Sequence, residues 1–122
     1  MMEIDLEALR NKARVAFEAQ EKKRIKDQEE KVNWILKSVP EKCEQAASEG
    51  KFTVSLHKIT QEDTHYGDKY YPTRILNQCE LTGIAKLLWN KCSKMGFKVT
   101  VENFKNPSNN SQNNYIMISF AP

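Results

Sequence analysis

The sequence has little of what common binding and structural motifs require. Its four glycines stand singly, so it lacks the glycine-rich turn that cradles a nucleotide phosphate. Its three cysteines, Cys43, Cys79 and Cys92, are odd in number and widely spaced, unlike the disulfide framework of a small secreted domain. No stretch approaches the roughly 18 consecutive apolar residues of a transmembrane helix. We therefore expect a soluble cytoplasmic protein with free thiols and no membrane contact.

Catalytic residue types are present, but not in the spacings that assemble a site. The segment 60–72 carries Asp63, His65 and Asp68, whose side chains could hold a metal or move protons in a small metal-dependent hydrolase. No second cluster completes such a site, and a solvated turn explains the same residues. We therefore predict no catalytic residue, no metal, no cofactor and no enzymatic activity.

The sequence contains residue types that bind zinc and one candidate reactive thiol, but no zinc-binding motif. Residue types that bind zinc occur at His57, His65, Cys79 and Cys92, but no two of them share the short spacing that places two ligands on one element. Cys79 precedes a predicted helix, where a thiolate is favoured, which makes it the best candidate for a reactive thiol.

Composition predicts one small folded domain with a modest core. Of the 122 residues, 39% are apolar and 29% charged, which argues against disorder. The net charge of +3 falls short of the basic surface of a dedicated nucleic-acid binder. Self-association is expected to support so small a core.

The first third of the chain predicts a long charged helix. No glycine or proline interrupts the sequence from Ile4 to Lys37, and strong helix formers dominate it. Apolar residues recur at helical spacing near both ends of this segment and surround a polar middle. We predict that residues 1–37 form an arm for oligomerisation or partner binding, as in a coiled coil. The residues expected to associate, most simply in a dimer, are Leu6, Leu9, Phe17 and Ile25.

Residues 38–122 predict a compact α+β domain. Ser38 and Glu41 resemble a capping box that starts a short helix, and a half-buried strand at 51–59 leads to an exposed loop at 60–72. Asn77 is expected to cap a helix that reaches Met95, followed by a hairpin of two strands. The predicted fold is a long N-terminal helix, a short helix and a β-α-β-β unit, with one helix covering a three-stranded mixed sheet.

We expect the other face of that sheet to be partly exposed, or covered by the N-terminal helix or a second subunit, and either this face or the 60–72 loop is expected to contact a partner. Alternation places Thr53, Ser55 and His57 of the first strand on this face, opposite the apolar core positions. Nucleic acid is one alternative partner, because aromatic rings stack on bases and cations neutralise phosphates. The residues proposed for that alternative are Lys69, Tyr70, Tyr71, Arg74, Lys91 and Lys94.

Residues 43–120 resemble small accessory proteins of bacteriophages. The resemblance rests on the order of the patterns: the helix end AASEG, an alternating strand, a leucine-rich helix, then MGFKVTVENF and the terminal YIMISF. It implies a virion-associated part or a factor that acts on a host complex, and it transfers no functional residue.

The sequence thus predicts a non-enzymatic protein-interaction factor that associates through its N-terminal helix and binds an unidentified protein. The alternatives are a nucleic-acid-binding module, an oligomer that holds a small ligand between subunits, and the small hydrolase.

Overall fold

The computed structural model describes residues 4–122, so residues 1–3 of the predicted arm lie outside it. The chain folds in the predicted α+β order, which is confirmed. The elements are α1 (Leu6–Lys37), α2 (Val39–Ser48), β1 (Thr53–Lys58), α3 (Gly83–Lys94), β2 (Lys98–Lys105) and β3 (Gln112–Ser119).

The sheet is antiparallel throughout, and the prediction of a mixed sheet was wrong. Its strand order is β1-β3-β2, and β3 runs antiparallel to both of its neighbours. β1 and β2 run in the same direction, as the helical crossover between them requires. They do not touch as neighbours, however, because β3 lies between them.

Two helices, α2 and α3, pack against one face of the sheet, whereas one was predicted, and the end of α1 packs against both of them. Val32 and Ile35 from the last turns of α1, and Val39 and Ala46 from α2, are buried in the same cluster as the inward face of α3. The remaining buried apolar residues are Val54, Leu56, Ile59, Leu76, Leu81, Ala85, Leu88, Cys92, Val99, Ile116 and Ile118. Only Ser38 separates α1 from α2, so the apolar end of α1 and the apolar face of α2 join the same core.

The bend between α1 and α2 does not use the predicted capping box. The Ser38 hydroxyl donates to the carbonyl of Ile35 at 2.6 Å, and its side chain caps no amide of α2. Pro40 lies in the first turn of α2, where its missing N–H costs nothing. The two helices therefore follow each other without a loop.

A β-bulge in β1 changes which way His57 faces. Ser55 lies opposite Met117 and His57 lies opposite Ile116, so Leu56 is an extra residue in the ladder. A bulge of this kind shifts the alternation of side chains. The prediction that His57 lies on the open face was therefore wrong, because the bulge turns it toward the helices.

The loop 60–72 is largely exposed, as predicted, but it is anchored to the domain at Asp63 and Thr64, which are buried. It contains the 3₁₀ turns Gln61–Asp63 and Gly67–Lys69, and a third turn, Gln78–Glu80, follows it. Asn114 of β3 also anchors this segment, because its side-chain amide donates to the Arg74 carbonyl at 2.6 Å and to the Tyr70 hydroxyl at 3.0 Å.

The predicted capping box at Asn77 and Glu80 is present, but it closes a 3₁₀ turn. α3 begins three residues later, at Gly83, rather than at the predicted start near residue 80. The two extra residues, Leu81 and Thr82, let the chain form a bridge with Thr64 before the helix starts.

Candidate functional site

The outer part of α1 projects from the domain. The helix starts with Asp5, whose carboxylate accepts from the Ala8 amide at 3.1 Å. The first buried residue of α1 is Val32. The residues of α1 that line a groove against the domain begin at Gln20. The segment 6–19 therefore projects by roughly 21 Å, at about 1.5 Å per residue, and each of its residues is exposed.

Apolar side chains form a stripe on this projecting segment. Leu6 is 58% exposed, Leu9 54% and Phe17 63%, and Ala13 continues their spacing of three or four residues on one helix face. Ile25 lies on a different line, seven residues before buried Val32, and is 47% exposed. The structure thus places three of the four predicted association residues together and Ile25 nearer the domain.

Charges of both signs are distributed along the outer two thirds of α1. Asp5 and Glu7 are followed by Arg10, Lys12 and Arg14, and the cations Lys22, Lys23, Arg24 and Lys26 lie among Glu18, Glu21 and Asp27. Arg24 contacts Glu21 at 2.8 Å. The exposed helix therefore presents no surface of a single sign to a partner.

A groove of about 970 Å³ separates the inner part of α1 from the turn that follows β1. Its residues from α1 are Gln20, Lys23, Arg24, Asp27, Gln28 and Lys31, and its other residues are His57, Thr60, Gln61, Glu62, Asp63 and Ile84. Cations and carboxylates line it in equal measure, so its walls favour neither an anion nor a cation.

At the groove, His57 and Asp63 form a shielded pair. The His57 Nε2 atom lies 2.9 Å from Asp63 Oδ2, and their side chains are 13% and 4% exposed. The same oxygen accepts from the Thr60 amide at 2.9 Å, and Oδ1 accepts from the Ala85 amide at 3.3 Å. A histidine oriented by a carboxylate is a common general base. Here the carboxylate also ties the start of α3 to the turn after β1, which is a structural role.

The electrostatics of Asp63 favour its charged form. Burial acts to raise the pKa of its carboxyl group, but hydrogen bonds from His57, Thr60 and Ala85 outweigh burial and hold the pKa below its ordinary value. These donors stabilise the carboxylate specifically, because protonation would remove an acceptor.

The acidic residues and histidine predicted for the 60–72 loop do not assemble into one site. Asp63 bonds His57 rather than His65, and Asp68 lies in the exposed 3₁₀ turn Gly67–Lys69. Across residues 4–122, no group of three or more His, Cys, Asp or Glu side chains is arranged to hold a metal ion.

The residues of the nucleic-acid alternative have different neighbours. Arg74 donates to the Tyr66 hydroxyl at 2.7 Å and lies 3.8 Å from Glu80. Lys91 Nζ donates to Asn33 of α1 at 3.3 Å, while Tyr71 is 67% exposed. Arg74 and Tyr70 are thus engaged within the domain, and the structure does not combine these side chains into one basic and aromatic surface.

The cysteines occupy distinct environments. Burial raises the pKa of the Cys43 and Cys92 thiols, which favours their protonated forms. Cys79 is exposed and lines a smaller cleft of about 330 Å³ beside His65 and Trp89. It is more exposed than Cys43 or Cys92.

The chain matches no model of a known family, no curated protein and no solved structure. Within residues 4–122, no helix has both the length and the apolar character needed to cross a membrane.

Two structural features were not predicted from the sequence, namely the capping box of Thr60 and Asp63 and the burial of Asn114. The pair Thr60 and Asp63 has the spacing of a capping box, and that box is formed, so this signal was readable. Asn114 gave no such signal, because it lay in an asparagine-rich stretch interpreted as a turn, yet it is completely buried. Its partners are about 40 residues away in sequence.

Proposed function

We propose that this protein is a non-enzymatic interaction factor that dimerises through the projecting part of α1. The observation that carries the proposal is the stripe of Leu6, Leu9 and Phe17, each more than half exposed on a helix segment that contacts nothing in its own domain. Apolar surface displayed in this way costs free energy in water and is commonly an interaction site.

The partner we propose for this stripe is the same segment of a second copy, running antiparallel. In that arrangement Leu6 of one helix lies near Phe17 of the other, and the two helices cross between Leu9 and Ala13. Ala13 lets the helices approach closely there. This register buries the whole stripe of each copy against the stripe of the other.

A phage-type accessory role would add a partner from a host complex. The open face of the sheet supports such a contact, because it displays the rings of Phe104 and Tyr115 with centroids 5.8 Å apart. Phe104 is 48% exposed. Aromatic side chains are enriched in protein interfaces, so this pair favours contact with a partner protein.

Glutamate substitutions in the stripe test the dimer. Leu9→Glu and Phe17→Glu together place charges in the proposed contact, so we expect the weight-average mass in sedimentation velocity to fall at every concentration. The matched control is Val15→Glu, because Val15 is 62% exposed on the same segment but points away from the stripe. Equal association of the double variant and the wild type would contradict the proposal, as would a wild type that is monomeric at high micromolar concentration.

A further inference from the structure

The outer edge of β2 is paired with no other strand of residues 4–122, and near its end the Asn103 side chain donates to the Pro72 carbonyl at 2.9 Å. β2 is an edge strand in the order β1-β3-β2, and it pairs with β3 from Lys98 to Lys105 without a bulge. It contains no proline. Regular edge strands of this kind pair readily with other strands unless the protein covers or interrupts them. The opposite edge, β1, is shorter and carries the bulge at Leu56.

The sequence of this edge is complementary to itself. Residues 98–102 read Lys-Val-Thr-Val-Glu, so a reversed copy places a cation opposite an anion at both ends. We propose that β2 pairs with β2 of a second copy, antiparallel and centred on Thr100. Lys98 then lies opposite Glu102 twice, Val99 lies opposite Val101 twice, and the two Thr100 residues face each other.

The two faces of the sheet select this register. Val99 is buried and Val101 half-buried on the helix-covered face, whereas Lys98 and Glu102 are exposed on the open face. Facing residues of paired strands share a face, so the valines extend the apolar side and the charges extend the polar side. A shift of two residues in either direction would place Lys98 opposite Thr100 or Phe104 and lose both charge pairs. A shift of one residue would set valines opposite polar side chains.

The charges of this edge are free to make such pairs. Among the ion pairs of residues 4–122, neither Lys98 nor Glu102 takes part. Opposite charges directly across two strands stabilise pairing, and like charges destabilise it. Facing threonines and β-branched pairs also favour a strand contact.

This contact is separate from the α1 contact and goes beyond it. Both contacts are two-fold symmetric, and they involve different surfaces of one chain. A protein with two such contacts forms a closed tetramer if the symmetry axes permit closure, and an open filament otherwise. The consequence is an assembly larger than a dimer at high concentration.

Charge reversal tests the β2 contact in the Leu9→Glu, Phe17→Glu background, where the α1 contact is disrupted. Lys98→Glu and Glu102→Lys each turn both pairs into like charges, so we expect the dissociation constant of the remaining dimer to rise about tenfold. Combining the two reversals restores opposite pairs and should restore the dimer. Mixing the two single variants should give heterodimers, because each then meets its complement.

Lys105→Glu is the control, since it changes net charge as Lys98→Glu does but lies outside the proposed paired segment. The proposal is overturned if the background protein is monomeric, if Lys98→Glu behaves like Lys105→Glu, or if the double reversal fails to restore association. Circular dichroism checks that each variant is folded. As a second measurement, oxidation should crosslink Thr100→Cys into dimers more than Phe104→Cys, and equal crosslinking would also overturn the proposal.

Discussion

Asp63 is a buried carboxylate whose hydrogen bonds join β1, the turn after it and the start of α3. Asp63→Asn keeps the size of the side chain but replaces one carboxylate oxygen with an NH₂ group. That group would face the hydrogen-bond donors that the oxygen now accepts from. We expect the free energy of unfolding at neutral pH to fall by about 1.5–3 kcal/mol, the usual contribution of hydrogen bonds to a charged group. Urea unfolding measures the change. Asp68→Asn is the control, because Asp68 is exposed, and an equal loss there would contradict this role.

The contribution of Asp63 to the free energy of unfolding should decrease when the pH is lowered. Its pKa in the folded protein lies below its ordinary value, so its stabilisation is complete above the unfolded-state pKa, about 3.9. It is lost as the pH falls through the folded-state pKa. The difference in unfolding free energy between wild type and Asp63→Asn should therefore be constant above about pH 5 and shrink below about pH 4. A difference that grows with acidification would contradict this account.

Individual residues differ in how far their roles could be predicted. The capping spacing of Thr60 and Asp63 is local, so it can be read from sequence. The partnership of Asp63 with His57 depends on the bulge at Leu56, which breaks the alternation on which a strand prediction rests. Asn114 was harder still, because its partners belong to a segment distant in sequence.

At the scale of elements, Gly83 lets α3 start against the turn Gln61–Asp63. Its φ of +58° favours glycine, and an added Cβ would lie 3.2 Å from the Glu62 carbonyl oxygen. We expect Gly83→Ala to lower the unfolding free energy by about 2–3 kcal/mol, combining backbone strain and a close contact. Gly50→Ala is the control, since φ is +75° there and nothing lies within 4 Å of the added Cβ. Thermal unfolding should show the larger loss for Gly83→Ala, and equal losses would exclude the contact.

The helices and strands themselves followed from periodicity, whereas their arrangement did not. Alternation identified both hairpin strands and β1, and the helix formers of residues 4–37 identified α1. Strand order was not readable, because the same apolar faces permit β1 beside β2 or beside β3. The chain places β3 in the centre, where its buried residues Ile116 and Ile118 meet both neighbours.

For the whole molecule, the predicted division at residue 37 separates a helix from a domain, but the apolar core includes the last turns of that helix. Val32 and Ile35 were visible as an apolar stripe, and they pack against the domain. The stripe of Leu6, Leu9 and Phe17 looked similar in sequence, yet it meets nothing. Periodicity reveals an apolar face, but only the path of the chain decides whether the protein's own core can bury it.

Removal of residues 1–20 tests whether the outer part of α1 serves association and its last turns serve folding. Every buried residue of α1 lies at Val32 or beyond, and the remaining turns still bring Gln28 to the start of α3. We expect the free energy of unfolding to change by less than about 1 kcal/mol, because exposed helix positions contribute little to stability. The shortened chain should sediment no larger than a dimer, since the β2 edge is the one proposed contact that it keeps. Adding Lys98→Glu should then weaken that dimer. If the shortened chain unfolds, α1 supports the core along its whole length, and if it assembles as the full chain does, the stripe is not the contact.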